Sequence, residues 1–139
     1  MPKLIMMKGL PFSGKTQWAT EWANAKPNRL RLSWSDLLKM MGGREQREKR
    51  VIAYDGMLRM MCCALRAGND VVIDECNLNG LEWGVIIARA QLCHAKVEWQ
   101  TMKTTAEECK EKARAVDSPI SDMEIDRLAK RFDVWLKQK

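Results

Sequence analysis

Residues 3–16 read KLIMMKGLPFSGKT, and the organisation of the whole chain follows from how this stretch is parsed. Lys3 to Lys8 form a short run with an apolar centre that ends at a glycine-rich turn, and TQWATEWANA at 16–25 then has helix-forming composition. The order is strand, loop, helix. Within it, GLPFSGKT at 9–16 matches the spacing G-x-x-x-x-G-K-[ST] in the setting that this pattern needs. Gly9 and Gly14 let the backbone wrap around phosphate oxygens with no Cβ in the way, while the amides of Ser13, Gly14, Lys15 and Thr16 converge on them at a helix N-terminus. Pro11 lies in the same phosphate-binding stretch. Lys15 brings a point charge to the β- and γ-phosphates, and the Thr16 hydroxyl is placed to ligate Mg²⁺.

The alternation continues outward. RLRLS at 29–33 alternates basic and apolar residues as a second strand would, and Ser33 or Ser35 can cap a helix that begins near Asp36. Gly42 and Gly43 break that helix. From Arg44 to Arg66 the recurrence of Val51, Met57, Leu58, Met61 and Leu65 predicts a long helix with this face on a sheet. Gly68-Asn69-Asp70 is a turn, and VVID at 71–74 is the continuous apolar run of a strand covered on both sides. Asn79 can cap a helix through Cys93, AKVEWQTM at 95–102 is the last strand, and a helix follows from about Thr105. Ser121-x-x-Glu124 forms a capping box for a final helix with Ile125, Leu128, Phe132, Trp135 and Leu136 on one side. The expected fold is α/β: three layers, a mostly parallel sheet of four to five strands, right-handed crossovers and helices on both faces, in a single domain over residues 1–139.

Composition agrees with a folded unit. Hydrophobic residues make up 46% and charged residues 30%, which argues against disorder. No apolar run approaches the roughly 20 residues of a membrane span, and no small-residue cleavage site follows the N-terminus. A cytoplasmic protein without membrane partners is expected. Lys plus Arg number 24 against 18 acidic residues, a net charge of +6 that favours polyanionic partners or simply solubility. The five cysteines show no C-x-x-C spacing and His94 is the single histidine, so neither a structural metal nor a disulfide framework is expected. Ten methionines beside two phenylalanines read as core packing.

The phosphate loop alone does not separate a kinase from a switch GTPase or a motor ATPase. No N-K-x-D pattern is present for guanine reading, and the short chain favours phosphoryl transfer to a hydroxyl, where catalysis is positioning and charge neutralisation. Such a kinase needs a carboxylate opposite the loop. Asp36, in LSWSD at 32–36, is the nearest candidate; its alternative is a helix N-terminal carboxylate that complements the dipole. Asp74 and Glu75 could hold the water shell of a metal, contact the acceptor or cap a turn. Asn77 could orient the acceptor or Asp74, or serve turn chemistry alone. Lys112 and Arg114 lie where a lid would supply charge to the migrating phosphoryl group, or are solvated surface charges. Trp34 can stack on a base, with Arg29, Arg31, Arg44, Arg47, Lys49 and Arg50 as a basic surround; the run GREQREKR at 43–50 reads equally as a helix face with a Glu45–Lys49 pair. Trp18, Trp22, Trp83, Trp99 and Trp135 read as packing.

These residues resemble the kinase domain of phage polynucleotide 5′-hydroxyl kinases, within the P-loop kinases. The resemblance runs along nearly the whole chain, carried by GLPFSGKTQWA at 9–19, LSWSD at 32–36, VVIDECNLN at 71–79, KVEW at 96–99 and the pattern from Pro119 to Phe132. It implies transfer of the γ-phosphate of ATP or another nucleoside triphosphate, with Mg²⁺, to a hydroxyl of a nucleic acid: a 5′ end or a hydroxymethylated base. In that family the acceptor loop carries an aspartate pair followed by an arginine, the first aspartate being the general base. Those positions fall here on Ser35, Asp36 and Leu38. Either Asp36 or Glu75 then takes the proton-accepting role, or the acceptor differs. The family's third-element carboxylate falls on Glu75, its threonine becomes Cys76, and Asn77 matches; in the lid, Lys112 matches one position and Arg114 is a gapped substitute for the other. The resemblance thus implies Lys15, Asp36, Glu75 and Arg114 as catalytic, and Gly9, Pro11, Ser13, Gly14, Lys15, Thr16, Lys112 and Arg114 as nucleotide-binding. Together with the readings of the residues above, this gives Trp34, Ser35, Asp36, Glu75 and Asn77 as the expected acceptor contacts, and Thr16 and Asp74 as the expected metal contacts. A companion phosphatase segment is not expected within these 139 residues. The alternatives are a small-molecule or nucleoside kinase, and a nucleotide-binding module that has lost catalysis because Ser35 and Leu38 replace the residues its relatives use.

Overall fold

The computed structural model describes residues 1–42 and 46–138. In β1 (Lys3–Lys8) successive side chains go to opposite faces, so Leu4 and Met6 join one buried cluster while Ile5 and Met7 join another. β2 (Arg29–Leu32), β3 (Asp70–Ile73) and β4 (Lys96–Thr101) complete a four-stranded sheet, at the lower end of the expected number, with the order β2-β3-β1-β4 and every pair parallel. Val71, Val72 and Ile73 of β3 are fully buried, as a strand covered on both faces requires.

Helices cover both faces. α1 (Lys15–Asn24) lays Ala19, Trp18 and Trp22 against Ile5, Met7 and Val72. On the other face α3 (Arg47–Arg66) and α4 (Gly80–Leu92) bring Met57, Leu58, Met61, Leu65, Ile86 and Ala90 onto Leu4, Met6, Val71 and Ile73. α1 follows β1 on one face and α4 follows β3 on the opposite face, although β1 and β3 are neighbours. That divergence opens a crevice at the carboxyl ends of the two central strands, the place where open α/β sheets bind ligands. α2 (Trp34–Met40) sits between β2 and α3, and α5 (Ala106–Ala115) and α6 (Asp122–Lys137) close the chain.

The last two helices reach the phosphate loop. Cys109 and Ala113 of α5 and Ile125 of α6 form a cluster with Leu10, and Phe12 packs on it. Ile125 is fully buried there, so Ile125→Ala is expected to cost about 2–5 kcal/mol of unfolding free energy, read by urea denaturation. An unchanged midpoint would mean that α6 does not brace the loop.

Helix starts follow their capping residues. Asn79 accepts from the amides of Leu81 and Glu82, Thr105 from Glu108 and Ser121 from Glu124, each at the expected place. The Glu124 carboxylate does not return to Ser121; it holds Arg127. At α2 it is Ser33 that caps, accepting from the Asp36 amide, so the helix begins at Trp34, two residues before the expected start. Ser35 is occupied elsewhere. Val51, expected on the sheet-facing stripe, is 61% exposed, because that stripe begins at Ala53 and the first turns of α3 overhang the sheet. Gly43, Arg44 and Glu45, with the Glu45–Lys49 pair and the start expected for this helix, lie outside the described residues. Among the cysteines Cys93 and Cys109 are buried and Cys63 is exposed. Among the described residues no helix is long and apolar enough to cross a membrane.

Candidate active site

The loop of residues 9–16 is shaped by what a side chain cannot do there. A Cβ on Gly9 would stand 2.8 Å from Ser13 Oγ and 3.3 Å from the Met102 carbonyl oxygen, so only glycine fits without displacement. Gly14, the N-cap of α1, has φ 93°, in the left-handed region that glycine adopts without strain. Phe12 also has a positive φ of 66°. The Gly9 amide donates to the Cys76 carbonyl (3.4 Å), the Ser13 amide to Leu10 (3.2 Å), and the Thr104 hydroxyl to the Ser13 carbonyl (3.0 Å). No side chain caps the first-turn amides of α1, which leaves them directed at the space beyond the loop. That space is a cavity of about 390 Å³ lined by Phe12, Gly14, Lys15, Thr16, Gln17 and Lys112. Lys15 is buried and folded back on the loop: Nζ donates to the Leu10 carbonyl (2.5 Å), the Gly9 carbonyl (3.3 Å) and Ser13 Oγ (3.3 Å). Uncapped amides and an ammonium around a small cavity make an anion site.

Across the crevice, β2 and β3 end in a group of carboxylates with separate partners. Glu75 Oε1 accepts from the Ser33 hydroxyl (2.9 Å) and the Ser35 amide (2.8 Å), and Oε2 from the Ser35 hydroxyl (2.8 Å). Burial pushes the Glu75 carboxyl above its ordinary range; the bonds from Ser35 and Ser33 pull it back in part, and the Asp74 charge adds to the rise. Asp74, almost fully buried, accepts through Oδ2 from Arg31 Nε (2.8 Å) and its terminal nitrogen (2.7 Å). The other arm of Arg31 meets Asp36 Oδ2 at 2.8 Å. Arg31 thus bridges the two aspartates. Cys76, one residue beyond Glu75, has its thiol pushed up by burial and pulled back by the nearby Lys15 charge; its carbonyl, which accepts from the Gly9 amide, joins the two sides of the crevice.

The structure brings some of the expected residues together and places others apart. Gly14, Lys15, Thr16 and Lys112 line the loop cavity, whereas Gly9, Pro11 and Ser13 belong to the loop behind it and do not line it. Ser35 and Glu75 touch each other, and Trp34 precedes them at the start of α2. Arg114 is not among the residues around the cavity: its guanidinium holds Asp122 at 2.8 Å across the α5–α6 turn. Asn77 adopts φ 54° and directs its amide to the Met7 carbonyl (2.6 Å) and the Glu75 carbonyl (3.2 Å), so its side chain braces the turn. Leu38 sits within α2. Of the basic surround, Arg29 lies over the Trp22 ring (4.5 Å) and donates to its carbonyl, and Lys49 donates to the Gly42 carbonyl. Arg47 and Arg50 stand beside Trp34, and Arg44 lies outside the described residues.

Arg31 and Lys8 also belong to the site and its support. Composition marks Arg31 as one of several basic residues, and its alternation with Leu30 and Leu32 turns it away from the core that those leucines enter. Lys8 continues the Leu4, Met6 series inward. It is 1% exposed, with Nζ 4.9, 4.7 and 4.5 Å from the ring centres of Trp83, Trp99 and Trp135, and it donates to the Asn77 carbonyl. Cation–π contact of this kind offsets part of the cost of burying an ammonium. Period-two reading of KLIMMK would have placed it there.

A model of the AAA domain family matches residues 4–134. No curated protein matches the sequence. Among solved structures, a chain of the Pnkp1/Rnl/Hen1 RNA repair complex superposes with a TM-score of 0.87 at 17% identity over 99% of this chain, which spans 46% of that one. A gluconokinase from Sinorhizobium meliloti 1021 gives 0.59 at 14% identity, over 94% of this chain and 74% of the other. Kti12 of Chaetomium thermophilum, in complex with ADP-AlF3, gives 0.63 at 18% identity, over 92% and 79%. This chain therefore covers about half the length of the RNA repair protein it resembles.

Proposed function

This chain belongs to the AAA domain family and has the α/β P-loop kinase fold, and on that footing we propose that it moves the γ-phosphate of ATP or another nucleoside triphosphate to a hydroxyl of a nucleic acid. The acceptor is a 5′ end or a hydroxymethylated base, and residues 1–139 act as one kinase domain. The observation that carries this reading is the position of Glu75: a partly buried carboxylate held by Ser33 and Ser35, one residue from Cys76, whose carbonyl receives the Gly9 amide of the phosphate loop. A nucleic acid as acceptor is favoured by Arg47 and Arg50 beside Trp34 and by the net charge of +6. The RNA repair complex among the structural neighbours agrees with it.

The roles follow from the partners each group has. The loop amides and Lys15, once its Nζ leaves the Leu10 carbonyl for phosphate oxygens, hold the triphosphate tail, and Lys112 adds charge from the cavity wall. Glu75 receives the acceptor proton as the oxygen attacks the γ-phosphorus and the bond to the β–γ bridging oxygen breaks. A carboxylate raised in pKa is the better base, whereas Asp36 is tied to Arg31 and half exposed, so we assign it and Arg31 to positioning. The donors present suit Mg²⁺: the Thr16 hydroxyl on the cavity wall and the Asp74 carboxylate would hold it, since this ion takes one or two protein oxygens and keeps its other sites for phosphate and water. Mg²⁺ supplies neutralisation of the charge on the phosphates.

The test is an acceptor panel. Labelled γ-phosphate is incubated with 5′-hydroxyl oligonucleotides, hydroxymethyl-containing DNA and a set of nucleosides and small metabolites. Label in a nucleic acid is the expected result. Label only in a nucleoside or metabolite would make this a small-molecule kinase, and a silent panel with retained ATP binding would make it a non-catalytic module.

A further inference from the structure

A second cavity, of about 570 Å³, opens between the starts of α2 and α3, with Trp34, Arg47, Arg50, Val51, Tyr54 and Glu82 in its wall. Its size lies within the roughly 300–1,000 Å³ of sites for small organic ligands. Trp34 packs one side on the sheet-facing core and carries the Arg50 guanidinium 5.1 Å from its ring centre, a rigid aromatic surface with a cation laid on it. Tyr54 is fixed by donating its hydroxyl to the Glu82 carbonyl (2.6 Å), and burial pushes that phenol up to about 12, so it stays neutral. Val51 offers apolar surface that the core leaves uncovered. The next residue after Trp34 is Ser35, whose amide and hydroxyl hold Glu75.

We infer that this cavity takes the nucleobase of the acceptor nucleotide, stacked on Trp34, with the adjoining phosphodiester on Arg47. The inference rests on the nucleic-acid reading given above and adds the place where the strand is gripped. Every base has a π face, so an aromatic and guanidinium surface holds any of them, while the arginines meet the backbone charge. Trp34 is the chain neighbour of Ser35, the serine that positions the proposed base, at the start of α2.

The test pairs a protein deletion with a ligand deletion. A 5′-hydroxyl oligothymidylate labelled at its 3′ end, and the same strand with an abasic 5′-terminal nucleotide, are titrated by fluorescence anisotropy against wild type, Trp34→Ala, Trp34→Phe and Arg47→Gln. Wild type is expected to bind the abasic strand roughly 10- to 100-fold more weakly, Trp34→Ala to bind both strands equally, and Trp34→Phe to restore most of the difference. Arg47→Gln, an exposed position that keeps the test open should Trp34→Ala fail to fold, should reduce the slope of log affinity on log salt by about 0.7. Equal binding of both strands by wild type, or an unchanged salt slope, would overturn the assignment. If wild type phosphorylates the strand yet Trp34→Ala discriminates as wild type does, this cavity alone is wrong; if wild type binds no strand, the nucleic-acid reading falls with it.

Discussion

Replacing Lys15 by alanine is expected to reduce γ-phosphate transfer by on the order of 10³-fold or more while circular dichroism and thermal melting stay close to wild type. The size of the effect comes from how little else on the loop carries positive charge: among the residues around the phosphate cavity, Lys15 and Lys112 are the cations. Lys112 comes from α5, on the lid side, and cannot substitute for an ammonium rooted in the first turn of α1. The fold should persist because what Lys15 gives up are bonds to the Gly9 and Leu10 carbonyls and Ser13 Oγ, which water can replace at an open cavity. Turnover at the wild-type rate in a folded Lys15→Ala protein would remove the loop from the chemistry.

Glu75→Gln carries the second large effect. As proton acceptor, Glu75 should contribute about 10²- to 10⁴-fold, whereas Asp36→Asn, which leaves the Arg31–Asp74 pair in place, should cost roughly tenfold or less. The pH dependence gives an independent readout. Because burial holds the folded carboxyl above its ordinary range, the native state keeps a proton that the unfolded chain has already released. Stability conferred at this position therefore falls as pH rises from the ordinary carboxylate range through the raised value, and the rate rises over the same interval as the base form appears. Glu75→Gln should lose both dependences. A steep loss in Asp36→Asn with little change in Glu75→Gln would exchange the two roles.

Much of this was legible in the sequence because local chemistry and tertiary structure agree. KLIMMK forms β1 over the residues its short apolar run marks, and Asn79, Thr105 and Ser121 start helices because their side chains satisfy amides within the next turn. The phosphate loop was readable for a similar reason: Gly9 has no room for a Cβ and Gly14 needs a positive φ, so the motif records backbone geometry directly. Interactions between distant residues were less legible. That Arg31 would fork between Asp36 and Asp74, 43 residues apart in the second case, depends on β2 pairing with β3. The Arg114–Asp122 pair depends on α6 returning beside α5, and the bond from Asn77 to the Met7 carbonyl on β3 lying next to β1, so neither partner follows from local sequence. Val51 fitted a helical stripe, but a stripe does not show where the sheet beneath it ends. Lys8 could have been found, since its place in the alternation of β1 points inward; the three indoles around it come from α4, β4 and α6.

Calorimetric titration of the chain with ATP in the presence of magnesium tests whether the loop of residues 9–16 holds a nucleotide. Saturable heat at one site is expected, lost in Lys15→Ala and retained in Glu75→Gln. No heat from the wild-type protein, or heat that Lys15→Ala leaves unchanged, would contradict it.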